Sequence, residues 1–301
     1  MLNVIYRRFG GPQVLELVDS PAPRPGPGQI LIYVYATAVN AFDWRVREGQ
    51  KLGAHPVTLP AGLGIDAAGM VAAVGEGVSN VRIGDAVFGE GVNTYAESAV
   101  LTVWAPKPPE LTFDEAAGYP SVVETALRVI DQVAVRPGER LLISGAAGGV
   151  GSAAVQIARA RGIHVVGTAG ADNQEYLRGM GAETTTYGPG WAGRVREFGP
   201  VDAALDLAGA GVLPELVELT GNADRVVSIA DTGAAAHGVR FSGEAGDVHA
   251  ALVESSQLIA EGKLRLPVAK TYSLSEAGDA HADSQRGHTR GRRIITVRRG
   301  D

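Results

Sequence analysis

Short apolar runs separated by Gly and Pro dominate the first hundred residues. VLELVDS is followed by the breaker PAPRPGPGQ and then by ILIYVYATAVN, where β-branched and aromatic residues favour a strand. AAGMVAAVG and TYAESAVL are further strand candidates, set apart by turn signals such as GEG and IGD. Closely spaced strands of this kind predict a compact β-barrel-like domain. From about Phe113 the period lengthens. TFDEAAGYPSVVETALRVIDQV has helical apolar spacing, a candidate N-cap at Thr112 and acidic residues in its first turn. Strand and helix patterns then alternate through RLLISG, GVGSAAVQIARARG, HVVGTA, NQEYLRGMG, VDAALDLAG, VLPELVELT and RVVSIAD, which predicts βαβ units around a parallel sheet. After about Gly262 the pattern returns to strand-like pieces ending in RRIITVRR. The expected fold class is α/β: a Rossmann-like domain, residues 116–262, inserted into a β-rich domain built from 1–115 plus 263–301.

Composition removes several function classes. The 301 residues are 45% hydrophobic and 20% charged with a formal net charge of -6, which suits a globular chain with a sizeable core. Basic residues cluster only in the tail RGHTRGRRIITVRR, so nucleic acid is not an expected partner. The chain has no cysteine, hence no disulfide, no thiolate nucleophile and no Cys-ligated zinc. MLNVIYRRFGG lacks the apolar core of a signal peptide, and no uninterrupted apolar stretch is long enough to span a bilayer. The expectation is a soluble, cytoplasmic protein with no membrane partner.

The most informative local pattern lies between LLIS and an alanine-rich helix. Gly145, Gly148, Gly149 and Gly151 occupy the joint, spaced GxxGxxG. A glycine-rich turn from a strand into a helix N-terminus exposes free N–H groups, and missing side chains let a phosphate approach them. In a chain with 41 glycines a triplet alone carries little weight. Its position at the first βαβ unit is the context that a dinucleotide site requires. A turn that merely packs helix on strand is the competing reading. The next strand, HVVGTAG, ends without the acidic residue that NAD usually calls for; the first carboxylate is Asp172. NADP is therefore permitted. Ser/Thr hydroxyls, backbone amides or Tyr187 are candidates to hold its 2′-phosphate, while Tyr187 equally reads as a strand-end core aromatic.

YRRFGGPQVLEL, PGPGQILIYVYATAVNAFDWRVREG, LPAGLGIDAAGMVAAVGEGVSNVRIGDAVFG and GAAGGVGSAAVQIARARG together resemble the zinc-independent quinone oxidoreductases of the medium-chain dehydrogenase/reductase superfamily. The resemblance runs over essentially the whole chain. It implies a GroES-like substrate domain, a Rossmann domain, NADPH as hydride donor, a small-molecule quinone or enone substrate, and a homodimer. Zinc-dependent members of the superfamily carry an early Cys, a GHE motif and a Cys-rich lobe. Here Asn40 to Asp43 stand near the first, Gly64–Asp66 replace the second, the lobe is missing and the six histidines are dispersed, so no metal is expected. By the same resemblance Asn40 faces the nicotinamide end of the pocket and is the one candidate catalytic residue, as a polar positioning group. Thr125 bonds the nicotinamide amide, and Ala147, Gly148, Gly149 and Val150 form the diphosphate loop. Thr168 and Gly170 lie on the adenosine side with Tyr187, and Ala208, Ser228, Ile229 and Ala230 line the cofactor from later strand ends. Arg290 is a tail residue that folds back toward it. Asn40 as a turn former, Thr125 as a helix cap and Arg290 as a solvated surface charge are the alternatives.

One departure bears on chemistry. Many relatives place a tyrosine about eleven residues after that asparagine, where Gln50 and Lys51 stand here. Without that phenol, enoyl-thioester reduction is disfavoured. Lys51, Asp43 and Tyr95 are candidate proton donors by location alone. Three functions stay open: quinone or conjugated-carbonyl reduction with NADPH, an enone or enoyl reductase of a biosynthetic pathway, and a non-catalytic NADPH-binding module.

Overall fold

The computed structural model describes residues 1–50, 57–287 and 290–298. The chain divides into two compact units, one of Met1–Ser121, Asp247–Glu261 and Leu266–Asp301, the other of Val122–Gly246 and Gly262–Arg265. The first unit opens with β1 (Leu2–Tyr6), β2 (Leu15–Asp19), β3 (Ile30–Val39), α1 (Ala41–Arg47), β4 (Ala61–Gly62), β5 (Asp66–Val74), β6 (Ala86–Val92), β7 (Ser98–Pro106) and α2 (Phe113–Ala117). Helix α3 (Pro120–Gln132) leads into the second unit, with β8 (Arg140–Ser144), α4 (Gly149–Ala160), β9 (His164–Ala169), α5 (Gln174–Gly179) and β10 (Glu183–Thr186). Then come α6 (Trp191–Arg196), β11 (Ala203–Asp206), α7 (Leu213–Thr220), β12 (Val226–Ser228) and β13 (Arg240–Phe241). The chain returns to the first unit through α8 (Val248–Ala260), β14 (Val268–Tyr272), α9 (Ala277–Arg286) and β15 (Arg292–Thr296).

Strand β3 organises the first unit. One edge pairs with β5, and the other is shared, Ile30–Tyr33 with β7 and Ala36–Val39 with β15. Because β5 also pairs with β6 and β6 with β7, these four strands close on themselves and leave no edge open among them. The alternation read in ILIYVYATAV sends Ile30, Ile32 and Val34 inward against Val71, Val87 and Leu101. Each such burial contributes roughly 1.5–3 kcal/mol.

The second unit is a six-stranded sheet in the order β10-β9-β8-β11-β12-β13, with every neighbouring pair parallel. Its inner strands are buried on both faces, which is why RLLIS and AALD read as nearly continuous apolar runs. The order reverses direction between β8 and β11, and open α/β sheets hold their ligands at that reversal, outside the carboxyl ends of the strands.

Three expected elements are revised, and the expected division shifts. The helix begun at Thr112 is two helices. Thr112 and Glu115 form a capping box on α2, and α3 starts anew at Pro120, whose ring and missing N–H cannot continue a preceding helix. The stretch TYAESAVL is strand only from Ser98. The C-terminal part is not all strand, for AGDAHADSQR forms α9, a polar helix that buries Ala277, Ala280 and His281. The division also differs from 116–262 at α8. Its buried Val248, Ala251, Leu252, Ser255 and Ile259 follow helical spacing, it packs on β7, and His249 Nδ1 lies 3.3 Å from the Trp104 carbonyl oxygen. Among the described residues no helix is long and apolar enough to cross a membrane.

The Thr112 side chain accepts from the Glu115 N–H, and its own N–H donates to the Glu115 carboxylate. Thr112→Ala should therefore lower stability by about 1 kcal/mol. Urea unfolding checks this through a lower midpoint at unchanged slope.

Candidate active site

The glycine turn follows β8 directly. Gly145 has φ +80°, a left-handed conformation, and a Cβ on Gly151 would lie 2.3 Å from the Gly145 carbonyl oxygen and 2.6 Å from that of Ala146. No side chain fits at 151, and that lets α4 start against the end of β8. Gly148 is the N-cap and brings no side-chain oxygen to it. The first helical bond runs from the Ser152 N–H to the Gly148 carbonyl, so the N–H groups of Gly149, Val150 and Gly151 lack helical acceptors. They form the N-terminus of α4 and carry its partial positive charge.

The register brings the predicted residues of this unit together. Thr168 pairs with Ser144, Ser144 with Asp206 and Asp206 with Ser228, so the carboxyl ends of β9, β8, β11 and β12 stand in one row. Ala147, Gly148, Gly149 and Val150 follow β8 along this row, Gly170 follows β9, Ala208 follows β11, and Ile229 and Ala230 follow β12. Thr168 is buried, and its carbonyl accepts from the Ala146 N–H at 3.1 Å. Tyr187, just past β10, is 52% exposed, so it is not a core aromatic; its Oη lies 3.4 Å from where a Cβ on Gly170 would stand.

Sequence reasoning missed Asp206. Its carboxylate accepts from the N–H groups of Ala208 and Gly209 and from the Ser228 hydroxyl at 2.8 Å, while Ser228 Oγ accepts from Ala230 and Asp231. Ser228 is thus occupied in shaping the row. Thr125 lies in α3 beside the ion pair of buried Glu124 with half-buried Arg128, and its Oγ1 is 3.4 Å from both Glu124 Oε2 and Arg128 Nη2.

In the first unit Asn40 caps α1 and is held by bonds to three residues. Its backbone N–H donates to Asp43 Oδ2 at 2.7 Å, its Nδ2 to Asp66 Oδ2 at 2.9 Å, and its Oδ1 accepts from Arg292 Nη2 at 2.7 Å. Asp66 also accepts from the Ser121 N–H and hydroxyl, and Arg292 stands 3.5 Å from it. Arg290 is exposed and is not among the partners of Asn40; Arg292, two residues on, reaches it. Lys51 lies outside the described residues.

Two family models match the chain: the alcohol dehydrogenase GroES-like domain over residues 26–105 and the zinc-binding dehydrogenase over residues 183–295. The chloroplastic quinone oxidoreductase QR1 of Triphysaria versicolor is 30% identical, with 98% of both chains covered. A quinone oxidoreductase structure from Coxiella burnetii is 31% identical over 99% of each chain, with a TM-score of 0.87. The chain belongs to the quinone oxidoreductase-like family of medium-chain dehydrogenases/reductases. Its first unit is the GroES-like barrel of that family and its second the Rossmann-like sheet. A mycobacterial protein solved in complex with NADPH is 28% identical over 98% of this chain and 100% of that one, with a TM-score of 0.86. A pikromycin polyketide synthase component of Streptomyces venezuelae is 38% identical over 94% of this chain. The match spans 8% of that component and 53% of the pig quinone oxidoreductase, about half the length of the mammalian relatives.

This family member carries a second buried polar chain in its GroES-like barrel. Arg47 Nη1 is 3.1 Å from His281 Nδ1, His281 Nε2 is 3.3 Å from Tyr95 Oη, and the Tyr95 hydroxyl donates to Asp43 Oδ2 at 2.9 Å. A guanidinium only donates, so Nδ1 accepts, Nε2 carries the proton, and every bond points toward Asp43. Burial, helped by the Arg47 charge, pulls His281 down to about 3. Burial also pushes Asp43 up to about 7, against the lowering bonds from Asn40 and Tyr95 and the charge of Arg292, with Asp66 adding to the rise.

The two groups have opposite linkage. His281 stays neutral in the fold while an unfolded His protonates near 6.5, so its contribution is present above that pH and lost as the pH falls toward 3. Asp43 keeps its proton in the fold up to about 7 while an unfolded Asp loses it near 3.8, so its contribution is lost as the pH rises across that window. Relative to Asp43→Asn, wild type should lose about 1.4 kcal/mol per pH unit on going up between these limits. Relative to His281→Gln it should lose a similar amount per unit on going down from 6.5. Urea unfolding of the three proteins across the range reads both slopes; a flat difference contradicts the assignment.

Proposed function

We propose that this family member is an NADPH-dependent, zinc-independent oxidoreductase that reduces a quinone or another conjugated carbonyl. The observation that carries the reading is the bare glycine turn at the reversal of strand order, where three N–H groups without helical acceptors meet the ends of four parallel strands. These residues fit a dinucleotide: the N–H groups of Gly149, Val150 and Gly151 would hold the diphosphate, and the space at Gly148, where a Cβ would meet nothing nearer than the Gly145 carbonyl oxygen at 3.5 Å, leaves room for it. The likeness to the mycobacterial protein solved with NADPH supports the choice of cofactor. So does the end of β9, where Ala169 and Gly170 offer no carboxylate against a 2′-phosphate and the Tyr187 hydroxyl stands beside Gly170.

When bound, the reduced nicotinamide supplies a hydride. Thr125 would hold its amide group, Ala208, Ile229 and Ala230 would flank it, and Arg290 would approach it from the tail. Asn40 would donate to the oxygen on which charge develops. The balancing proton comes from solvent or from Asp43, which holds one up to about pH 7.

A zinc ion does not fit the residues present. The two Asp66 oxygens already take donors from Asn40, Arg292 and Ser121, and the adjacent guanidinium would repel a dication. Among the described residues no three His, Cys, Asp or Glu side chains are grouped to hold a metal.

A second reading, an enone or enoyl reductase of a biosynthetic pathway, is favoured by the similarity to the polyketide synthase component over 94% of this chain. A cytoplasmic homodimer completes the proposal. Cofactor oxidation followed by absorbance, with a quinone panel and an enone panel, should show turnover with NADPH at least ten times more efficient than with NADH. Prior dialysis against a strong chelator should leave the rate unchanged. Turnover with enones alone selects the second reading. No oxidation with any acceptor, or a rate lost to the chelator, contradicts the proposal.

A further inference from the structure

The orientation of the Asn40 side chain is fixed by its neighbours. A carboxamide has an acceptor end and a donor end of nearly the same shape, and rotation exchanges them. Here Oδ1 faces Arg292 Nη2 at 2.7 Å and Nδ2 faces Asp66 Oδ2 at 2.9 Å. A guanidinium cannot accept, so the flipped amide would set its NH₂ group donor against donor at Arg292. All three groups are buried, Asn40 8% exposed, Asp66 0% and Arg292 6%, so water does not compensate a flip. Asp66 is itself held by the Ser121 N–H at 3.0 Å, and its backbone carbonyl accepts from Thr37 Oγ1 at 2.6 Å.

The Asn40 amide nitrogen has two N–H bonds in one plane. One goes to Asp66, and the other has no partner among the described residues. Fixing the first fixes the direction of the second. A donor of this kind, oriented before the reaction, stabilises negative charge on a carbonyl oxygen without reorganising as the charge appears. A free asparagine would divide its time between two orientations, one of which turns a repelling oxygen to the substrate.

We infer that Arg292 and Asp66 are positioning residues that act through Asn40, holding its second amide N–H as a fixed donor to the carbonyl oxygen of the acceptor. The inference deepens the proposed reductase reading and rests on it for the identity of the acceptor. The lock itself is a property of the side chains and can be read without turnover.

The test is a double-variant cycle on kcat/KM with NADPH and the best acceptor. Arg292→Lys should lower kcat/KM by about 10- to 100-fold, the range that hydrogen bonds to charged groups carry. In the Asn40→Ala background the same substitution should change it by less than about 2-fold, because nothing is left to position. Equal factors in both backgrounds, or no effect of Arg292→Lys alone, overturn the inference. NMR of the Asn40 side-chain NH₂ pair supplies the readout independent of activity. Its exchange with solvent should be slow in the wild type and faster in Arg292→Lys, while the melting temperature and NADPH binding remain near those of the wild type. Unchanged exchange overturns the lock. If the wild type oxidises no NADPH, the reductase reading fails while the NMR still decides the lock. If the lysine variant does not fold, Arg292→Gln takes its place in both measurements.

Discussion

Gly151 and the Gly145 carbonyl oxygen approach so closely that a methyl group at 151 would sit 2.3 Å from that oxygen. The rest of the Rossmann-like sheet depends on this contact. It seats the first turn of α4 against the end of β8, and it leaves the turn's N–H groups bare at the place where the strand order reverses. The neighbouring strand ends are then braced to match. Asp206 gathers the turns after β11 and β12 through the N–H groups of Ala208 and Gly209 and through Ser228. A carboxylate used in this way costs desolvation, which its several donors offset, and the result is a row of backbone positions held for a ligand.

The GroES-like barrel solves a different problem with the same means. Asp66, Asn40, Arg292 and Ser121 converge from β5, the start of α1, β15 and the start of α3. Asp43, Tyr95, His281 and Arg47 form a second chain that meets the first at the Asn40 cap. Replacing buried charges by apolar groups is often neutral or stabilising, so such groups are not needed for stability as such. What they provide here is direction. Each hydrogen bond has one sense, and the senses agree.

The parts legible in the sequence are those set by local chemistry. Alternation in ILIYVYATAV marked β3 and its inward residues, and the glycine spacing after LLIS marked the strand–turn–helix, because near neighbours decide both. Local breaks were harder. Pro120 divides a region whose apolar spacing runs on without interruption, and α9 is polar enough that its few buried positions leave little periodic signal. The polar clusters were not legible as clusters. Arg292 and Asp66 stand 226 residues apart and Arg292 and Asn40 252, and nothing in the sequence near either arginine distinguishes Arg290, which precedes β15, from Arg292, which begins it. Arg47 and His281, 234 apart, look like an ordinary basic residue near a helix end and a dispersed histidine. The pairing of β15 with β3 and the packing of α9 on α1 bring these pairs together, and no motif records it.

The central claim is that a dinucleotide diphosphate rests on the bare amides after β8. Calorimetric titration of NADPH and NADH into the wild type and Gly148→Val tests it most directly, with a melting curve of each protein alongside. A Cβ on Gly148 meets only the Gly145 carbonyl oxygen, at 3.5 Å, so the fold accepts it. One NADPH per chain is expected on the wild type, with weaker uptake of NADH and at least about a 100-fold loss of NADPH affinity in a variant that still melts cooperatively. Equal NADPH affinity in the folded variant, or no binding heat with the wild type, would contradict it.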